Sequence, residues 1–482
     1  MKRLTLWSML LLCALSSIHC SKKAEPGAIA TDVSLVPIKP VPLPDPGIPN
    51  FHFPEPEATI DQWINSNDMP KEYLHSWGIW TALNANSGQK YNGEDLRVFE
   101  TWLTPDDMAA AINAKQQKAP IALEAVPRNR GTLKDPNQSL HARHMHKLKL
   151  GQEIPQPVQN RILGFVKYDP TAAQFTIDNT LLDSTTLQSM INAGKTDIPD
   201  FPNTAITTKP VFNIITKSTL DSNGGYYKLP VWSGPNDTSI GYPSSAWPGS
   251  VWVDPKNQGQ GHGGVDTGQG RSPQNTYNLD EFVHFKLDKK SASYIKASYG
   301  IDANEGDYAI LVAMHVTSRE IKRWTWQTFW WAPNADAPPA PSSKAIADAR
   351  PSQLTGAPRH YAMAVAYTFI DPNQPYTNGN NIGTSIYTFN PYLEAGFDTS
   401  VFYEKAIVMT KGKPIVNDVG VHTNCMSCHA LANFNPGNLV PTGPGYMADT
   451  YIDMDGKRFK GVLKLDFLWS IQGNIIEDST KK

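Results

Sequence analysis

The chain has 482 residues, 40% apolar and 18% charged, which is enough for a large core and for about three domains' worth of chain at ~150 residues each. Its 39 prolines, about 8% of the chain against a usual ~5%, argue against long helical bundles. Lys and Arg total 43 against 45 Asp and Glu, so there is no global positive field of the kind that holds a nucleic-acid backbone.

Lys2 and Arg3 precede an apolar run from Leu4 to Ile18, shorter than the ~20 residues that span a bilayer. The run ends at Ser17-Ile18-His19-Cys20-Ser21, which is similar to a bacterial lipoprotein processing site. Residues 1–20 therefore read as a lipoprotein-like signal peptide that sends the chain to the periplasm or cell envelope. If processed so, Cys20 would carry the lipid and be the only tie to a membrane; plain cleavage with secretion and a retained anchor are the alternatives. Residues 21–58 hold nine prolines, from Pro26 to Pro56, and no sustained apolar period. Such a segment is extended and semi-rigid. It serves either as a tether or as an arm packed on the body, with Phe51, Phe53 and Ile60 to anchor its far end.

Helical spacing follows over 61–65 and 75–84. Thr104-Pro105-Asp106-Asp107 then supplies a cap, a first-position proline and two acids ahead of a helix through 109–117. His141, His144 and His146 lie among Arg143, Lys147 and Lys149 and read as a solvated basic face rather than a metal site. From about 160 the runs turn β-rich: 162–166, 174–177, 210–215, 251–253 and 282–287, with a helix over 179–193. The clearest strand pair is 308–317 with 323–331, and another strand covers 361–370. The pattern predicts an α+β fold, a strand-dominated antiparallel body with N-terminal helices over 59–394, followed by a segment over 395–482. The glycine-rich stretch 258–270 reads as a mobile loop, because it lacks the pattern of a phosphate cradle.

The chemistry is concentrated at Asn424-Cys425-Met426-Ser427-Cys428-His429. Cys-x-x-Cys-His is the attachment signature of c-type haem. Two thiols three apart on one turn reach the two vinyl groups of a porphyrin, and the adjacent imidazole ligates the iron from one face. The only other cysteines are Cys13 and Cys20, so a processed chain keeps at most three. A structural zinc site would need a second donor pair. A thioredoxin-like redox pair would follow a strand, whereas 416–423 is polar and loop-like.

On these residues the C-terminal part resembles a monohaem c-type cytochrome of the exported or lipoprotein kind. A longer pattern resembles large bacterial cytochrome c family proteins, which have no assigned substrate. It runs through Met314-His315-Val316, Trp324-Thr325-Trp326-Gln327-Thr328-Phe329, Asn390-Pro391-Tyr392-Leu393-Glu394 and the haem motif itself. The resemblance implies one covalently attached haem, with Cys425 and Cys428 as thioether attachments and His429 as the proximal iron ligand. The motif stands near the end of the chain, unlike that of small cytochromes c, so the distal ligand stays open. Met454 and Met447 follow the motif at a reachable distance, His315 lies in an apolar strand and could meet a haem docked on the sheet, and His422 is close in sequence; an open sixth site is the remaining choice.

Two functions fit. One is an electron carrier that exchanges single electrons with a redox partner protein and needs no catalytic side chain. The alternative is a periplasmic haem enzyme, a peroxidase or oxygenase, with an open distal iron site and His315 or Arg323 polarising bound peroxide. The nearly 400 residues before the motif exceed what electron transfer requires and favour some further activity.

Overall fold

The computed structural model describes residues 37–118, 128–136, 161–236, 240–372, 383–402, 408–410, 413–415, 419–436 and 446–476. Residues 1–20, expected to be a signal peptide ending at Cys20, and the His141, His144, His146 cluster lie outside the described residues.

The strand Tyr308–Ser318 organises the body. It pairs antiparallel with Ile206–Ile215 on one side and with Thr325–Trp331 on the other, and Tyr361–Ala366 extends the sheet beyond. The short strands Ile162–Gly164 and Lys167–Tyr168 pair with Ile206–Ile215, and His284–Lys286 pairs with the start of the central strand. Both faces are covered, so these strands read as near-continuous apolar runs rather than as alternation. Along Tyr308–Ser318 only Tyr308 and His315 are not fully buried.

Register assigns the two faces. His315 lies opposite Lys209 and Thr328, and Thr317 lies opposite Thr207 and Trp326. Alternate residues of a strand share a face, so Lys209, His315, Thr328, Thr207, Thr317 and Trp326 share one, and Phe329 points to the other. The helix Met69–Leu83 covers that second face, where Trp80 stacks on Phe329 with ring centroids 4.2 Å apart. Two apolar cores result, one holding Trp77, Trp80 and Phe329, the other Tyr168, Trp326, Met426 and Leu468.

The fold is mixed α+β with antiparallel sheets, as the pattern predicts, and the capped helix appears as Pro105–Gln116, with a reciprocal Thr104–Asp107 capping box. Helices also continue past the N-terminal end. Residues 174–177, read as a strand, belong to the helix Pro170–Asp178, because Asp169 accepts hydrogen bonds from the Thr171 and Ala172 amides ahead of a first-position proline. The cap outweighs the β preference of Phe175-Thr176-Ile177. The predicted helix over 179–193 starts later, as Ser184–Asn192 capped by Asp183, since Thr180 has φ 49°. A helix Lys289–Tyr299, capped by Asp288 and ended by Gly300, is not foreseen by apolar spacing. A separate sheet joins Tyr227–Pro230, Ser250–Asp254 and Thr276–Asn278, its last pair parallel. The glycine-rich stretch beside it is tied down by Asp266, which accepts from the Gly268 and Gly270 amides at 2.9 and 2.8 Å.

Residues 37–58 run along the body as an arm. Trp102 Nε1 donates to the Val41 carbonyl at 2.7 Å, and the Phe51 ring sits so close to helix Met69–Leu83 that a Cβ on Gly78 would lie 2.1 Å from it. The C-terminal residues share the second core with helices from earlier in the chain. Lys464 N donates to Thr196 O at 2.9 Å and Ile476 N to Leu182 O at 2.7 Å. The described residues after 395 are therefore not independent in packing, and the chain from Val36 onward forms one unit. Among the described residues no helix is long and apolar enough to cross a membrane.

Candidate functional site

The Cys-x-x-Cys-His motif is one short helix, Cys425–His429, set by its own sequence. Asn424 is its N-cap: Oδ1 accepts from the Met426 and Ser427 amides at 2.9 and 3.3 Å. The amide group of the same side chain donates to the carbonyls of Ile386, Thr368 and Phe369, at 2.9, 3.3 and 3.4 Å. One buried side chain thus starts the helix and fastens it to the chain leaving the central sheet. Ser427 Oγ donates to Thr450 O at 2.6 Å, and Trp469 Nε1 donates to Cys428 O at 3.1 Å. Met426 is fully buried in the second core, whereas Cys425, Cys428 and His429 are only half-buried and each turns a side the other way.

That other way is a cleft. Cys425, Cys428 and His429 line it from the C-terminal side, and Lys209, His315 and Trp326 line it from the sheet. Its empty volume, counted out through the open mouth and so including solvent outside it, is about 1520 Å³. Phe165, Phe397, Phe402, Tyr446 and Leu468 give it apolar walls.

The two thiols are free, and burial, reinforced by Glu394, pushes both well above the usual thiol range. A disulfide-exchange pair needs a lowered thiol pKa, and these surroundings do the reverse. His429 has one ring nitrogen tied down: Nδ1 donates to the Phe467 carbonyl at 2.9 Å. Its Nε2 therefore carries the lone pair, and among the described residues no hydrogen bond reaches it. Burial pushes its pKa down to about 3, which keeps the imidazole neutral. Trp326 packs on the ring with centroids 4.2 Å apart. A neutral imidazole whose second nitrogen is held by a carbonyl is the arrangement of an iron-ligating histidine.

The donor set fits a c-type haem: two thiols on one turn that are in no disulfide and a neutral ring with an open Nε2, all bordering one open, largely apolar cleft. Among the described residues no group of three or more His, Cys, Asp or Glu converges as for a bare metal ion.

The proposed distal residues separate. His315 lines the cleft, its Nε2 2.9 Å from Glu394 Oε1. Met454 does not line it; the residue is half-buried and its carbonyl accepts from Lys464 Nζ at 2.8 Å. Met447 is buried in the second core, His422 packs beside Tyr387, and Arg323 lies over the Phe369 ring. Lys209 and Glu394 were not read as site residues from the sequence. A lone lysine inside the apolar run 206–215 is the signal for the first. Glu394 gives none by itself, because it meets His315 across 79 residues. Gly420 lies against the backbone of that turn, where a Cβ would stand 1.7 Å from the Glu394 carbonyl oxygen.

Comparison with known proteins returns no relative: no family model, no curated protein and no solved structure matches this chain.

Proposed function

We propose that the protein is an exported c-type cytochrome that carries one covalent haem in this cleft and passes single electrons to a redox partner protein. The observation that carries the reading is the motif helix itself, with both thiols and the open Nε2 of His429 turned into one apolar cleft. Cys425 and Cys428 would hold the haem through thioethers and His429 through Nε2. When bound, the group supplies reversible one-electron chemistry at its iron.

The chain's own residues do the rest. The Phe467 carbonyl fixes the His429 ring and strengthens its donor nitrogen. Asn424 and Trp469 hold the motif helix at both ends, so the donors stay in place between oxidation states. Phe165, Phe397, Phe402 and Leu468 give the cleft apolar walls, and an apolar setting around a bound haem would limit the reorganisation that electron exchange requires. No side chain needs to gain or lose a proton.

The test is a potentiometric titration of the purified full chain followed by absorption. The expected result is a reversible one-electron transition of a c-type spectrum. Absence of any haem absorbance in protein made with a cytochrome c maturation system would overturn the reading. Turnover of peroxide by a carbon monoxide-reactive iron would move it to the haem enzyme.

A further inference from the structure

The cleft contains a second histidine arranged like the first. His429 ties Nδ1 to the Phe467 carbonyl and leaves Nε2 open. His315 ties Nε2 to the Glu394 carboxylate at 2.9 Å, and among the described residues no hydrogen bond reaches its Nδ1. With Nε2–H donating to a carboxylate, Nδ1 is the ring nitrogen that the neutral imidazole would offer as a donor. The two rings line one cleft from opposite walls, one from the motif helix and one from the central strand.

Glu394 is itself placed with care. Its Oε2 accepts from the Asn390 amide at 2.6 Å, closing the turn 390–394 on itself. Asn390 is fully buried, and its Nδ2 donates to Thr328 Oγ1 at 2.8 Å and to Phe329 O at 2.9 Å. Thr328 is the strand neighbour of His315. A closed chain of contacts therefore runs from His315 to Glu394, to Asn390, to Thr328 and back to His315 across the ladder. It ties one imidazole of a largely buried pair to the sheet. Among the described residues that line the cleft there is no methionine, and His315 and His429 are the histidines.

We propose that His315 is the second iron ligand, through Nδ1, and that Glu394 is the residue that positions its ring and raises its donor strength. This rests on the haem reading above. It makes the site a bis-histidine one, with a lower reduction potential than a methionine ligand gives. A carboxylate partner on the ligating ring lowers the potential further, because it stabilises the ferric charge.

The experiment uses the full-length holoprotein, with covalent attachment first confirmed by intact mass. Wild type should be low-spin in both oxidation states and indifferent to carbon monoxide. His315→Gly should turn high-spin and bind carbon monoxide, and added imidazole should restore the low-spin spectrum. Glu394→Gln, which keeps the hydrogen bond but removes the charge, should stay low-spin with a raised reduction potential. A wild-type protein that binds carbon monoxide, a His315→Gly protein that stays low-spin, or one that imidazole does not restore overturns the assignment of His315. An unchanged potential in Glu394→Gln overturns the role of Glu394. A wild-type chain with no attached haem removes the haem reading, and this inference with it. Attached haem whose spectrum ignores His315 removes this inference alone.

Discussion

Two histidine–glutamate pairs lie on opposite faces of one sheet, and they differ in what they leave unused. His75, on the helix Met69–Leu83, places Nδ1 2.7 Å from Tyr367 Oη and Nε2 3.0 Å from Glu320 Oε1. Both side chains are almost wholly buried, at 2% and 0% exposure. Glu320 also accepts from the Glu55 amide at 2.7 Å and from Ser318 Oγ, so every member of the network has partners. His315 and Glu394 keep 17% and 15% exposure, and one ring nitrogen faces a cleft. A saturated network fixes a core, whereas one with a donor held in place and left open is built to receive something.

The largest effect should come from removing the wall that faces His315. Deleting residues 400–482 strips Met426, Leu468 and Trp469 from the second core, and the truncated chain should aggregate. Gel filtration and circular dichroism check this, and a soluble, folded fragment would mean that the two walls of the cleft are separate domains. Next comes the saturated pair. Glu320→Ala strands a buried histidine and two further donors and should cost ~3–5 kcal/mol in urea unfolding, with no change in haem spectrum. A spectral change would blur the distinction between the two faces. Asn424→Ala removes a cap and the donor to three carbonyls, and a loss of ~2–4 kcal/mol is expected together with lower haem incorporation.

A smaller effect is confined to one pH window. Glu72, on the helix of the saturated face, is pushed up from 4.5 to about 8 by burial and then by Asp68 and Asp371. Between those values the folded chain keeps a proton that the unfolded chain gives up. The contribution is whole below pH 4.5 and lost as pH rises through about 8. Glu72→Gln should flatten the dependence of Tm on pH across that window, and an unchanged slope would contradict the shift. The smallest stability effect belongs to the open pair: His315→Ala should cost under ~1 kcal/mol, because its partner keeps solvent and backbone contacts. A cost like that of Glu320→Ala would make the two pairs equivalent and remove the comparison.

What could be read from sequence follows the range of the interactions involved. The haem motif is contiguous and carries its own cap, so Asn424 to His429 are legible without a fold. The strands 308–317 and 323–331 are legible because both faces are buried and the apolar run is unbroken. His315 stands out as the polar residue in such a run, which is why it enters as a candidate. The helix Pro170–Asp178 is misread because three β-prone residues sit in a segment governed by a cap six to eight residues earlier. Helix Lys289–Tyr299 escapes because it buries little, only Ala292 and Ile295. Glu394, Lys209 and the Trp326 contact with His429 depend on register and on chain returns of many tens of residues, which no local pattern encodes.

The central claim is that the cleft holds a covalent haem on Cys425 and Cys428. Its most direct test is the intact mass of the denatured full chain, made with a cytochrome c maturation system, beside the same chain carrying Cys425→Ala and Cys428→Ala. The account predicts that the first carries the mass of one haem with neither thiol open to alkylation, and that the second carries none. A denatured chain of polypeptide mass alone, with both thiols alkylated, would contradict it.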